Sequence, residues 1–115
     1  MTNTQLTFNL AVQAFEARDY ATAVDRFQRI LDDDPGLTLV REYLARAHYH
    51  RAALPLAERE ARALLAHDPT DTFALLLLAR TLERQSRTEE ALGFRRQLAA
   101  LTGDASQLES HQAAR

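Results

Sequence analysis

The sequence predicts an all-α chain of three helix pairs in tandem, and three observations predict it. Similar residues recur at an interval of 34 in four separate columns: Leu10, Leu44 and Leu78; Ala11, Ala45 and Ala79; Ala23, Ala57 and Ala91; Ile30, Leu64 and Leu98. Asp-Pro steps stand at the same interval, ending at Pro35 and Pro69. Strand-like alternation is absent, and glycine and proline number three each, so the segments between turns read as helices.

Each interval resolves into two helices. The first helices are expected at about 4–17, 38–51 and 72–85, and the second at about 21–33, 55–67 and 88–101. Asp34-Pro35 and Asp68-Pro69 stop the second helices of the first two pairs, because proline supplies no N–H to the ladder. Pro55 falls at the expected first position of its helix, where that N–H has no partner to lose. Thr88, followed by Glu90 and Ala91, starts the last helix. The Leu-Ala pairs and Ala23, Ala57 and Ala91 lie where the two helices of a pair cross, since bulk there would force them apart.

These residues resemble the tetratricopeptide repeat family, whose 34-residue motif carries this Leu-small, aromatic, Ala, Phe/Leu and Pro pattern. "DYATAVDRFQRILDDDP", Asp19 to Pro35, is a close match. The second unit has Ala52, Ala53 and Leu54 at its turn, where the family often has Gly, Asp and Tyr. The third has Gly103 in place of the closing proline. The resemblance covers about residues 4 to 103. It implies a right-handed helical-hairpin solenoid forming one domain over 1–115, with repeats at about 4–37, 38–71 and 72–103 and a tail or cap over 104–115.

A repeat unit buries its faces only against neighbours, and a terminal unit must face water. The second-helix positions that face the next unit read Phe27, Ala61, Arg95, and one turn later Leu31, Leu65, Ala99. The outward face loses its apolar character by the third unit, so no fourth repeat is expected. The tail offers Ala105, Leu108 and Ala113 for packing, and a short capping helix is expected at about 105–112.

Composition narrows the function classes. Apolar residues make up 46% and charged ones 26%, ordinary for a folded domain. The net charge of -2 gives no polyanion-seeking surface, so nucleic acid is not expected as a partner. Without cysteine there is no disulfide, thiol nucleophile or thiolate zinc site. The longest apolar run, Phe73 to Ala79, is far short of a membrane span. The N-terminus is polar and uncharged, unlike a secretory signal, and the chain is expected to be cytoplasmic.

The resemblance implies that the first helices line a concave groove. Positions a turn back from the Leu-Ala columns then face it: Phe8, Asn9 and Val12; Glu42, Tyr43 and Arg46; Leu76, Leu77 and Arg80. Gln5, Leu39 and Phe73 lie a turn earlier, and Phe15, Tyr49, His50, Glu83 and Arg84 a turn later. Leu75, Leu78 and Ala79 are expected in the core, whereas Phe73, Leu76 and Leu77 border the groove. One branch of the family grips a peptide's terminal carboxylate with Lys, Asn and Arg. Those places here hold Phe8, Val12, Tyr43, Phe73 and Leu77, so that clamp is not expected. The expected ligand is an apolar helix or extended segment, with Tyr43, Phe8 and Phe73 as anchors. Replacing Tyr43 and Leu77 together by Ser is expected to abolish capture without unfolding. Arg46 and Arg80, again 34 apart, either meet a ligand carboxylate or pair locally with Glu42 and Glu83.

Other signals carry little chemistry. His48 and His50 point to nearly opposite sides of a helix, and His48 shares a core column with Ala14 and Leu82. "LDDDP" lacks the Gly turn and distal Glu of a calcium loop. Arg59, Arg62, Arg95 and Arg96 with Glu58 and Glu60 read as a wet outer wall. No metal, cofactor or catalytic constellation is expected, and the chain reads as a non-catalytic adaptor or scaffold that binds a protein or peptide. The second reading is a homodimer made groove to groove, with a structural role.

Overall fold

The computed structural model describes residues 3–108. Among them are six helices: α1 (Thr4–Glu16), α2 (Tyr20–Asp33), α3 (Thr38–His50), α4 (Leu54–His67), α5 (Thr72–Arg84) and α6 (Thr88–Thr102). All six were expected, and the ends agree to one residue. Pro55 is the second residue of α4 rather than the first, still within the turn whose N–H groups have no intrahelical partner. Asn3, Asp19 and Asp71 cap α1, α2 and α5 by accepting from the N–H groups of Leu6, Thr22 and Ala74. α6 begins without such an acceptor; there Arg87 donates forward to Glu90 instead.

The turns repeat as closely as the helices do. Arg18, Ala52 and Ser86, each 34 residues from the next, all take left-handed backbone, with φ of 63°, 59° and 62°. In each case the N–H of that residue donates three residues back, to Phe15, Tyr49 or Glu83. The following N–H donates five back, to Ala14, His48 or Leu82. This is a Schellman closure made without glycine. The Asp-Pro turns are equally alike, since Asp34 accepts from the N–H of Gly36 and Asp68 from that of Thr70. α6 ends differently, on Gly103 in left-handed backbone (φ 73°). Residues 106–108 then begin a further helical turn, and the rest of the expected cap, from 109 onward, lies outside the described residues.

The chain divides into two compact units, Met1–Glu60 and Ala61–Arg115. In the first, α2 packs against both α1 and α3. Its core joins Ala11 and Phe15 of α1, Ala23, Phe27, Ile30 and Leu31 of α2, and Val40, Leu44 and Ala47 of α3. Each large apolar side chain buried there contributes roughly 1.5–3 kcal/mol. Leu10 departs from its column: Leu44 is fully buried in the cluster with α2, but Leu10 is 38% exposed. Glu60 is also not on a wet wall. It is buried, and Arg41 of α3 and the neighbouring Arg59 pair with it. Arg41 further donates to the carbonyl of Pro35, fastening the Asp-Pro turn.

In the second unit α5 is buried around most of its circumference, at Ala74, Leu75, Leu77, Leu78, Ala79, Thr81 and Leu82. The core columns continue in it through Ala91 and Leu98 of α6. Arg95 corrects the expected polar outer face, because its side chain is buried, with 6% exposed. Glu83 accepts two of its hydrogen bonds, at 2.6 and 2.9 Å, and Gln107 a third at 3.1 Å. The bond to Glu83 pushes the guanidinium further above its ordinary range. A charge leaves water only when so matched, and the tail supplies part of the match.

Candidate functional site

The expected groove residues of the first unit lie on α1 and α3, two helices that touch directly. Phe8 sits 6.0 Å from the Phe27 ring and 5.7 Å from Tyr43. Tyr43 in turn stacks on Phe27 at 5.3 Å and meets the edge of Phe15 at 5.5 Å. Phe8, Val12 and Tyr43 therefore each give one side to the core, and remain half-buried beside it. A run of rings continues from Phe15 to Tyr20 and His50, which stack on each other at 5.0 Å. Tyr49, also half-buried, meets His50 at 5.9 Å.

Arg46 lies over this platform. Its guanidinium carbon is 4.8 Å from the centre of Phe15 and 5.3 Å from that of Tyr43. The ring faces hold the cation by their quadrupoles, worth about 0.5–1 kcal/mol at an exposed site, and fix the plane of its donors. One turn before Tyr43, Leu39 is 57% exposed. The face thus combines an exposed aliphatic side chain, half-buried aromatic edges and an oriented cation. Such a surface matches an apolar segment that also carries a carboxylate or a carbonyl.

The second unit carries the remaining expected residues. Phe73 and Leu76 are half-buried, and Arg80 and Arg84 are exposed on α5. Leu77 is 8% exposed, which corrects the expectation that it borders a groove. Its carbonyl accepts from the Thr81 hydroxyl at 2.7 Å, and Ala74, Leu78 and Thr81, a turn before it, next to it and a turn after it, are buried. Glu83, a local partner considered for Arg80, is engaged with Arg95.

Sequence reasoning missed the platform beneath Arg46. Tyr43 and Arg46 stand three apart, a spacing that makes helix neighbours, so half of the stack was within reach. The contribution of Phe15 depends on how α1 meets α3 and has no local signal. His48, by contrast, is buried as expected, with 3% exposed, while His50 on the opposite side is exposed. Burial lowers the His48 pKa, partly offset by the carboxylate of Glu60. A hollow of about 370 Å³ between the start of α1 and the end of α2 is lined by Thr4, Thr7, Arg29, Ile30, Asp32 and Asp33. None of the expected groove residues lines it.

The family profile described as tetratricopeptide repeat matches residues 14–72, about half of the chain. The chain belongs to the tetratricopeptide repeat family. Its fold, all-α helical hairpins in tandem, is that of solved tetratricopeptide structures. The first tetratricopeptide domain of Spaghetti (RPAP3), bound to the HSP90 peptide SRMEEVD, superposes with a TM-score of 0.84 at 17% identity, covering 96% of this chain and 91% of that one. The tetratricopeptide domain of Sgt2 from Aspergillus fumigatus gives 0.83 at 15% identity, over 99% and 80%. PcrH, in complex with the chaperone-binding region of PopB, gives 0.81 at 12% identity, over 96% and 92%. A search of curated protein sequences gives no match.

Proposed function

We propose that this tetratricopeptide protein is a non-catalytic interaction module, and that the α1/α3 face of its first unit receives an apolar segment of a partner protein. The observation that carries the reading is the Arg46 guanidinium laid over Phe15 and Tyr43, beside the exposed Leu39. Leu39, the Tyr43 ring and Arg46 within two turns of α3, with the Phe15 ring supplied by α1, suit a short peptide with apolar anchors and one acidic residue. The similar folds seen with an HSP90 peptide and with a PopB segment support a protein partner in general terms. They do not supply its identity, since the positions of the polar carboxylate grip are held here by Phe8, Val12 and Tyr43. Arg80, Arg84, Phe73 and Leu76 of α5 are proposed as a contact surface of the second unit by itself.

The test uses Leu39→Lys combined with Arg46→Glu. Tyr43 and Leu77 are unsuitable, because one stacks on Phe27 and the other is buried, so their loss would disturb the core. The double variant should keep its helicity and unfolding temperature while losing captured partner at least tenfold, and wild-type capture should weaken with salt. Undiminished capture by the folded variant would overturn the reading. Loss of self-association instead would favour the groove-to-groove homodimer.

A further inference from the structure

Residues 34 apart hold the same place in their helices, so the second pair shows what the first lacks. On α3, Val40 and Leu44 are buried in one cluster with Phe27, Ile30 and Leu31 of α2. Their counterparts one interval earlier are Leu6 and Leu10 of α1, which are 53% and 38% exposed. The counterparts on α5, Ala74 and Leu78, are fully buried. α1 therefore carries the apolar face that α3 buries against a helix, and among the described residues nothing covers it. At 100° per residue this face points away from Phe8 and Val12.

Charge indicates what covers it. Met1 to Phe15 contains no charged residue, in a chain of which 26% is charged. The exposed positions of α1 around the leucines are Gln5, Asn9 and Gln13, whereas α2 exposes Asp25 and Arg29 and α6 exposes Glu89 and Arg96. In a twofold interface each side chain near the axis meets its own kind, so a charge there repels itself. A helix uncharged up to its last residue, the exposed Glu16, and carrying two exposed leucines avoids that penalty around Leu6 and Leu10. The outward face of α6 in another copy is a poorer match, since Arg95 is committed to Glu83 and Gln107, and Arg96 is exposed beside it.

We propose that the chain self-associates through α1, with Leu6 and Leu10 of one copy packed against those of a second. Two leucines on a 13-residue helix make an interface smaller than the roughly 1,000 Å² of a stable one, so the dimer exchanges and forms at high concentration. The proposal does not rest on the groove, because Leu39 and Arg46 lie on α3 and take no part in it.

Analytical ultracentrifugation of the full chain, from about 1 µM to 1 mM, tests this. The weight-average mass should rise from 13.0 kDa toward twice that value. Leu6→Lys combined with Leu10→Lys should weaken association by roughly a hundredfold, the factor that about 2.7 kcal/mol represents, with helicity unchanged. The Leu39→Lys, Arg46→Glu variant should dimerise as wild type does. A mass constant at 13.0 kDa throughout, or a dimer that survives the lysines, overturns the proposal. So does a dimer lost only on the α3 substitutions, which would place self-association in the groove and leave capture of other partners to its own test.

Discussion

His48 has both ring nitrogens buried, with no hydrogen-bond partner among the described residues, and such unpaired polar atoms each cost about 1–3 kcal/mol. Glu60, Arg59 and Arg51 are the charged groups that act on it; the carboxylate favours its protonation and the two arginines oppose it. Burial outweighs the carboxylate, and the folded-state pKa lies below the ordinary 6.5. The unfolded chain therefore binds the proton more readily. The stability tied to neutral His48 is complete above pH 6.5 and is lost as pH falls through the folded-state value. Leu82 fills the same place one interval later, so leucine has the right size. His48→Leu should raise the midpoint of chemical denaturation, and by more at pH 5 than at pH 8. An equal gain at both would show that the ring is not kept neutral by the fold. Glu60 and Arg95 mark the limit of residue-level reading. Each looks like a surface charge in sequence, and each is buried by partners far along the chain, Arg41 for one and Glu83 with Gln107 for the other.

Helices and turns were the most legible features, because their causes are local. Proline at 35 and 69, aspartate caps at 19 and 71, and apolar columns at one interval place each helix to within a residue. The left-handed residue in each hairpin turn was not legible, since arginine, alanine and serine carry no sign of positive φ. That conformation costs an L-residue about 1 kcal/mol, which glycine avoids at the expense of a more flexible unfolded chain. Ala52→Gly should thus stabilise the protein by about 0.5 kcal/mol, read from the urea midpoint at constant slope. Destabilisation would mean that the methyl group of Ala52 has a role the turn geometry does not show.

For the whole molecule, the repeat period could be read from spacing, the family from the resemblance of these residues to its motif, and the positions expected to face a groove from that resemblance. Which of those positions stay exposed could not be read. Apolar side chains at the surface and in the core look alike in sequence, and only packing separates Leu39, which is exposed, from Leu77, which is buried. The same ambiguity hid Leu6 and Leu10, whose column is otherwise core. Site-directed photo-crosslinking in the source cell tests the binding face most directly. A photoreactive residue at Leu39 should give a discrete protein adduct that Arg46→Glu removes, and the same residue at exposed Arg29 on α2 should give none. Adducts from position 29 but not from 39, or an adduct at 39 indifferent to Arg46→Glu, would contradict the α1/α3 face as the place where this protein meets its partner.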